Sequence, residues 1–395
     1  MLRSRKSLNM RDKPTLLFGG LSPRSFLRKY WQKQPLLVRG AFPSVSPPLS
    51  PSELAGLACE TGVDSRLVIR TRKAPGWKLN HGPFRYKDFA KLPHSHWTLL
   101  VQDVDKHVPN AASLLESFQF IPNWRIDDIM ISYATDGGSV GPHVDTYDVF
   151  LLQLQGMRRW DINTAPHSEA ETPGLELKQV KGFKAEDSWL LMPGDMLYLP
   201  PGVAHHGVAF GECMTCSIGF RAPSQAELMD DLAGQLVDSA SRVDYYSDAD
   251  LVPADHPGEL SRTARSKVRQ MLHARLQPSD EELDIWFGRY VTEPKAWLRP
   301  AVAARRCTPM RLKQRLARDK PLAWHPAVRV AWFDTRRTCH FFVNGKHHAL
   351  PSKLARFARL LGDQRRFTAA ELQRHIRDPL AESLIRSFID AGQLT

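Results

Sequence analysis

Two histidines and one aspartate stand in a pattern that suits metal chemistry. His143 and Asp145 are two residues apart, and because side chains alternate between the faces of a strand, both point the same way. His205 follows 62 residues after His143, just past the sequence Pro200-Pro201-Gly202. Two imidazoles and one carboxylate form the facial ligand set of non-haem Fe(II), which leaves coordination positions open for other ligands. The spacing therefore predicts an iron site at these three residues.

The three residues lie in two segments in which glycine, proline, histidine and aspartate have fixed spacings. The first segment reads Gly-x5-His-x-Asp from Gly137 to Asp145, and the second reads Gly-x5-Pro-x4-His from Gly194 to His205. Together and in this order, the two segments resemble the metal-binding segments of a cupin barrel. The alternative is a metal-free barrel in which the histidines only pack.

An iron site of this kind needs a cation behind it if it also takes 2-oxoglutarate. The bidentate dianion fills two open positions and leaves a net negative charge, which a buried site tolerates only beside a cation. Arg158 and Arg159 lie on a strand predicted to pair back against the metal strand, and alternation sends only one inward. We predict Arg158 as the carboxylate anchor, the alternative being that both arginines are surface residues. Ser132 is predicted to donate its hydroxyl to the same carboxylate, unless it is simply a core serine.

Three further residues are candidates for contacting a substrate. Tyr147 is two residues past Asp145 and so shares the face of the metal ligand. Asp136, in the loop that enters the metal segment, and Ser217, on a late strand, could contact a cationic substrate. A cationic side chain would be held by carboxylates or by aromatic faces.

The elements that must position these residues are mostly short strands. Up to about residue 223, short apolar runs alternate with glycine and proline turns, which is typical of an antiparallel barrel or double-sheet jelly roll. Residues 225–246 and 259–276 then show helical periodicity, and Ser224 with Glu227 forms a capping-box pattern. From about residue 292, short strands, an Asn344-Gly345 hairpin turn and two closing helices indicate a winged-helix-like module.

These patterns divide the chain into three predicted domains. They are a catalytic β domain over residues 1–223, a helical region over 224–291 and a winged-helix-like domain over 292–395. The fold class is α+β. Residues 1 to about 15 are expected to form a polar lead-in.

The composition indicates which class of partner and which cellular compartment to expect. The 54 Lys and Arg against 42 Asp and Glu give a net charge of +12, which favours a polyanionic partner such as RNA or a ribosomal surface. The alternative is a basic surface without any role in nucleic-acid binding. Five scattered cysteines suit a reducing cytoplasm, and no apolar run reaches the ~20 residues of a membrane span. We therefore expect a soluble cytoplasmic protein.

Several motifs together resemble the JmjC-type ribosomal oxygenases. They are Ile131–Tyr133, Gly141–Phe150, Gly156–Trp160, Tyr198–Gly202 and Ser217–Pro223. The resemblance implies a JmjC cupin, which is a double-stranded β-helix, followed by a helical dimerisation region and a C-terminal winged helix. It also implies iron at His143, Asp145 and His205, with 2-oxoglutarate at Arg158 and Ser132 and O2 as oxidant.

The activity that the resemblance implies is hydroxylation of an arginine side chain of a large-subunit ribosomal protein by a homodimer; the expected contact with ribosomal RNA rests on the net charge. One alternative keeps the chemistry but changes the target to a histidine or a methyl-lysine of another protein. The other is a DNA- or RNA-binding regulator with a non-catalytic cupin, against which the intact triad and the arginine pair argue.

Overall fold

The computed structural model describes residues 15–73, 76–166, 169–171, 178–239, 245–253, 258–273, 276–298 and 300–395. The predicted lead-in therefore lies almost wholly outside the described residues. The chain forms two compact units, one of residues 1–222, 295–328 and 366–395, and one of residues 223–294 and 329–365. The predicted domain boundaries at residues 223 and 291 stay predictions.

The first unit is built on antiparallel strands. They are β1 (Leu36–Val38), β2 (Ser65–Arg70), β3 (Trp77–His81), β4 (Trp97–Val101), β5 (Ile126–Ala134), β6 (His143–Val144), β7 (Asp148–Asn163), β8 (Glu169–Glu171), β9 (Lys178–Val180), β10 (Asp187–Leu191), β11 (Met196–Leu199) and β12 (Ala204–Phe220). Ten of them form one sheet in the order β1-β11-β7-β12-β5-β4-β2-β3, with β10 paired to β7 and β6 paired to β12. β8 and β9 pair with each other.

The two longest strands, β7 and β12, run side by side and carry most of the site. Their pairing shifts register between Phe210 and Met214, so each strand meets different partners along its two halves. β7 is buried on both faces: Phe150 packs in an aromatic core, while Val149 packs in a second cluster with Trp160. A strand buried on both faces is held rigidly, which suits a frame for ligands.

Short helices cover the aromatic core. They are α1 (Pro23–Lys29), α2 (Pro51–Leu57), α3 (Tyr86–Phe89), α4 (Val104–His107) and α5 (Pro109–Leu114). α1 begins as its sequence requires, because the Ser22 side chain accepts a hydrogen bond from the backbone N–H of Ser25 and Pro23 occupies the first turn.

A buried carboxylate fastens the start of β7 to its neighbours. Asp148 is fully buried and accepts hydrogen bonds from the Tyr198 hydroxyl (2.6 Å), the Gln32 side chain (3.0 Å) and Arg125 (3.2 Å). The Tyr198 hydroxyl itself accepts from the backbone N–H of Gln32 at 2.8 Å. Asp148 thus has a structural role, although it lies only three residues from Asp145.

We expect Tyr198→Phe to lower the free energy of unfolding by about 1–3 kcal/mol, because it removes a donor to a buried carboxylate. Urea unfolding followed by fluorescence measures the change. The control is Tyr86→Phe, since Tyr86 is 78% exposed and its hydroxyl is not needed in the core. Equal stability of both variants and the unmodified chain would contradict the role of this network.

The C-terminal segments of the first unit are helical with one small strand pair. They contain α9 (Pro309–Ala317), β13 (Leu322–Ala323), β17 (Arg366–Phe367), α11 (Ala369–His375) and α12 (Pro379–Asp390), and β13 pairs with β17. α9 packs against both α11 and α12. Among the described residues, no helix is both long and apolar enough to cross a lipid bilayer.

The second unit combines helices with a three-stranded sheet. Its elements are α6 (Gln225–Ser239), α7 (Arg262–His273), α8 (Asp280–Thr292), β14 (Val330–Asp334), β15 (Thr338–Val343), β16 (Lys346–Pro351) and α10 (Ala355–Asp363). The predicted Ser224–Glu227 capping box is observed, with reciprocal hydrogen bonds of 2.6 and 3.1 Å. The predicted Asn344-Gly345 turn joins β15 to β16, and both residues have the positive φ that such a turn requires.

Candidate metal centre

The structure brings His143, Asp145 and His205 to one point. His143 on β6 lies directly opposite His205 on β12, and Asp145 follows two residues after His143. The Asp145 carboxylate is 4.0 Å from Nε2 of His143 and 3.6 Å from Nε2 of His205. One ligand atom of each residue lies within 4.8 Å of the other two, so a single ion can reach all three.

Backbone carbonyls set the orientation of both imidazoles. Nδ1 of His143 is 3.0 Å from the Gly141 oxygen, and Nδ1 of His205 is 3.0 Å from the Val203 oxygen. A carbonyl only accepts, so each Nδ1 carries the proton and each Nε2 keeps a lone pair for a metal. Burial and the neighbouring imidazole lower the pKa of His205 to about 4, which keeps this ligand neutral at physiological pH.

Behind the three ligands lies the buried guanidinium of Arg158. Its residue pairs with Ala209 of β12 and Leu191 of β10, and it is 5% exposed. Within the part of the chain that the structure describes, its Nε and Nη2 have no hydrogen-bond partner. Burying an unpaired cation is costly, so this geometry fits a group that receives an anion. Arg159 instead faces outward, 3.2 Å from Asp161, as strand alternation predicts.

Trp160 shares the face of Arg158 on β7 and lies near both the guanidinium and a metal residue. Its ring is 5.7 Å from the Arg158 guanidinium carbon and 5.8 Å from the His205 ring. A side chain at Gly207 would approach the indole to 2.7 Å, so glycine is required for this packing. Nε1 of Trp160 is buried and has no partner among the described residues. Its shared face with Arg158 was readable from the sequence, but its unpaired N–H was not.

Ser132 lies on β5, which pairs with β4 on one side and with β12 on the other. It is 3% exposed and stands opposite Thr215, whose hydroxyl donates to the Gln153 side chain at 3.0 Å. Thr98 on β4 is also buried, and within the described residues its hydroxyl has no partner. The predicted role of Ser132 toward a carboxylate stays a prediction.

The three substrate candidates lie in different surroundings. Tyr147 is 40% exposed as a whole, but its hydroxyl group is largely buried, and this burial together with the charge of Asp145 raises the pKa of the hydroxyl. Ser217 is 9% exposed and faces Leu151 across the strand pair. Asp136 is exposed and accepts a hydrogen bond from the backbone N–H of Gly211 at 2.9 Å, so it caps a turn. Their roles in binding substrate stay predictions.

Sequence reasoning missed Asp128, a buried carboxylate on β5 near Tyr147. Its Oδ1 lies 3.5 Å from the point where a Cβ at Gly219 would stand, and the Tyr147 ring is 3.7 Å from the same point. Its other oxygen accepts from the Asp103 backbone N–H at 3.0 Å and lies 3.8 Å from the Lys295 ammonium. Burial, opposed by Lys295, raises the pKa of Asp128 to about 7.

The raised pKa of Asp128 makes the stability of the fold depend on pH. The folded state keeps the proton that the unfolded chain loses near pH 3.8, so stability falls as pH rises from about 4 to about 7. We expect Asp128→Asn to remove this decline. The free energy of unfolding of the variant, relative to the unmodified chain, should increase from about pH 4 to about pH 7 and stay constant above that. Urea unfolding at several pH values tests this. Asp187→Asn, at an exposed position, is the control and should follow the unmodified chain throughout.

Comparison with known proteins places these features in a family. Residues 113–228 match the JmjC domain, and residues 270–394 match the ROXA-like winged helix. The chain is 41% identical over 271 residues to ribosomal protein uL16 3-hydroxylase of Escherichia coli (strain K12), covering 68% of this chain and 71% of the relative. It is 40% identical over 216 residues to a probable ribosomal oxygenase of Haemophilus influenzae, covering 54% and 53%.

Solved structures agree over nearly the whole chain. The X-ray structure of E. coli ycfD matches with a TM-score of 0.82 and 34% identity, covering 95% of this chain and 98% of that one. The structure of YcfD, a ribosomal oxygenase, in complex with cobalt and 2-oxoglutarate matches with a TM-score of 0.79 over the same shares. The predicted fold, a JmjC cupin followed by helices and a winged helix, is confirmed.

Proposed function

Because the chain belongs to the JmjC ribosomal oxygenases, we propose that it is an Fe(II)- and 2-oxoglutarate-dependent hydroxylase of a ribosomal protein. The observation that carries the proposal is the meeting of His143, Asp145 and His205 within 4.8 Å, with both Nε2 atoms turned toward Asp145. Two neutral imidazoles and one carboxylate are the donor set of non-haem Fe(II), and they leave room for other ligands.

The co-substrate would be held by the side chains behind the ligands. The unpaired N–H groups of Arg158 suit the distal carboxylate of 2-oxoglutarate, because a guanidinium and a carboxylate form strong paired hydrogen bonds. Ser132 is proposed to donate to the same carboxylate. Trp160 would line the space between this anchor and the metal, and its indole N–H supplies a further donor.

When bound, the iron and the co-substrate supply the oxidation: O2 and 2-oxoglutarate become succinate, CO2 and one oxygen atom inserted into a substrate C–H bond. The protein's own contribution is position. The carbonyls of Gly141 and Val203 hold the imidazoles, and Arg158 fixes the co-substrate relative to them. The choice of target carbon then depends on how rigidly the pocket holds one side chain.

We propose an arginine of ribosomal protein uL16 as the target, by analogy with the E. coli relative named for that protein. The support within this chain is chemical: Tyr147 and Asp128 flank one small space over Gly219 and offer an aromatic face and a carboxylate oxygen. Asp136 and Ser217 remain proposed contacts.

Three further proposals concern assembly, location and RNA. We propose a homodimer formed through α6 and α7, since none of the described side chains of these helices is buried and Met229, Val237 and Leu272 are exposed. We propose a cytoplasmic location, because the proposed substrate, a ribosomal protein, is found there. A contact with ribosomal RNA is proposed as well, and its surface is derived below.

Mass spectrometry tests the reaction directly. Ribosomal proteins from cells lacking the enzyme are incubated with enzyme, Fe(II) and 2-oxoglutarate, and one added oxygen is expected on one arginine of uL16. The control reaction omits 2-oxoglutarate. Oxygen on a histidine, or loss of a methyl group from a lysine, would replace the arginine assignment, and ribosomal proteins that all remain unmodified would contradict the proposed substrate class.

A further inference from the structure

The positive charge of the chain is concentrated in its C-terminal quarter. Residues 292–395 contain 21 Lys and Arg against 8 Asp and Glu, whereas residues 1–291 contain 33 against 34. The net charge of +12 therefore originates entirely in the last 104 residues. A net charge confined to one region indicates a local polyanion-binding surface rather than a uniformly basic protein.

Within the first unit, this charge collects around α9. The opposite face of α9 is buried through Leu312 and Leu316. The exposed basic side chains, called here the basic face of α9, are Arg305, Arg306, Arg311, Lys313, Arg318 and Lys320. Arg311 and Arg318 are seven residues apart and so share one stripe, and Arg311 also donates to the Arg306 backbone oxygen at 3.0 Å. Within the described part of the chain, none of the six side chains forms a salt bridge.

Three acidic side chains of the same segments accept hydrogen bonds from backbone N–H groups, while a fourth, Asp319, is exposed between Arg318 and Lys320. Glu371 accepts from the Thr368 backbone at the start of α11, and Asp378 accepts from the Leu380 backbone at the start of α12. Asp390 accepts from the Cys307 backbone N–H at 2.6 Å. The basic face keeps an excess of positive charge, because its six cations stand beside one exposed carboxylate, that of Asp319.

α12 follows α11 after a short turn, but it is poorly equipped to read DNA bases. Its exposed positions include Leu380, Ser383 and Ser387, and its one arginine, Arg386, is half-buried. Base edges in the major groove are read mainly by Arg, Lys, Asn and Gln, which α12 does not expose. The basic face of α9 offers arginine and lysine side chains, which are also the main partners of phosphate oxygens.

We propose that the basic face of α9 binds the phosphate backbone of RNA. The choice of RNA over DNA rests on the proposed ribosomal function and on the absence of base-reading side chains from the exposed positions of α12. None of the six residues of this surface is among those assigned to the hydroxylase site. It would hold the enzyme beside ribosomal RNA while the catalytic unit acts on a protein segment.

Fluorescence anisotropy with a short labelled single-stranded RNA and the full-length chain tests the proposal. We expect Arg311→Gln with Arg318→Gln to make the negative slope of log affinity against log salt shallower by about 1.4, since each phosphate contact on a single strand contributes about −0.7. If the variant and the unmodified chain bind RNA equally at about 1 M salt, this difference in slope makes the variant's affinity roughly tenfold lower at about 0.15 M salt. The control, Lys87→Gln with Lys91→Gln, removes two exposed charges from the N-terminal part and should leave affinity unchanged.

Three results would overturn the proposal: no RNA binding by the unmodified chain at low salt, equal losses in the two double variants, or tighter binding to duplex DNA of the same sequence. A second assay measures 2-oxoglutarate turnover with an isolated ribosomal protein as substrate. It distinguishes failure of the RNA-binding proposal from failure of the hydroxylase assignment. The Arg311→Gln, Arg318→Gln variant should retain that turnover. Loss of turnover together with RNA binding would point to misfolding and would remove the support for a separate surface.

Discussion

His143→Ala is expected to abolish 2-oxoglutarate turnover while the protein stays folded. The variant removes one of the two neutral nitrogen ligands, and its side chain is 25% exposed, so little packing is lost. Removing a residue that merely orients a metal ligand costs about 10- to 100-fold, so loss of the ligand itself should exceed about 100-fold. Co(II) titration followed by visible absorption measures metal affinity without depending on turnover.

His206→Ala is the matched control, because His206 adjoins His205 but faces the other side of β12. It stands opposite Asp161, and its ring is 6.2 Å from that of Phe183. We expect this variant to bind Co(II) like the unmodified chain. If His143→Ala keeps turnover and Co(II) affinity, the metal centre assigned to these residues is wrong.

The part of the site that could be predicted from the sequence is the part governed by strand alternation. His143 and Asp145 share a face because they are two residues apart, and alternation likewise predicts that only one of Arg158 and Arg159 turns inward. Strand pairing was not predicted correctly: the strand of Arg158 was expected to pair back against the metal strand, whereas β7 runs unbroken from Asp148 to Asn163 and pairs there with β12 and β10. Local rules fix the direction of each side chain, and the structure agrees with them.

Features that depend on distant contacts could not be predicted. The burial of Asp128 and its ion pair with Lys295 join positions 167 residues apart, so no local pattern reveals the raised pKa. Asp136 is drawn to the backbone of Gly211 because a turn of β12 passes beside it. The backbone oxygens of Gly141 and Val203 matter for the imidazoles through loop geometry, which residue identity does not encode.

The division of the C-terminal part was equally hidden from the sequence. Residues 329–365 belong to the second unit, while the segments on either side belong to the first. In the second unit, Trp332 lies against Gly362, where a Cβ would approach the indole to 2.2 Å. Such packing depends on complementary shapes brought together by the fold, and strand or helix propensity contains no information on it.

Arg158→Gln should raise the stability of the ligand-free protein and weaken its binding of 2-oxoglutarate. The guanidinium is buried with two unpaired N–H groups among the described residues, so neutralising it removes a desolvation cost and should raise the melting temperature of the ligand-free protein. The same change should weaken 2-oxoglutarate binding about 30- to 5000-fold, since truncating one partner of a buried, hydrogen-bonded charge pair costs about 2–5 kcal/mol.

Calorimetric titration of 2-oxoglutarate into the Co(II)-loaded protein measures the affinity, and differential scanning calorimetry measures the melting temperature. Arg159→Gln is the control, because Arg159 is half-exposed beside Asp161 and should change neither quantity by much. Arg158→Lys keeps the charge but not the planar fork and should bind with intermediate affinity. A purely structural arginine would show lower stability with unchanged affinity for 2-oxoglutarate, and that outcome would remove the co-substrate anchor from the proposed mechanism.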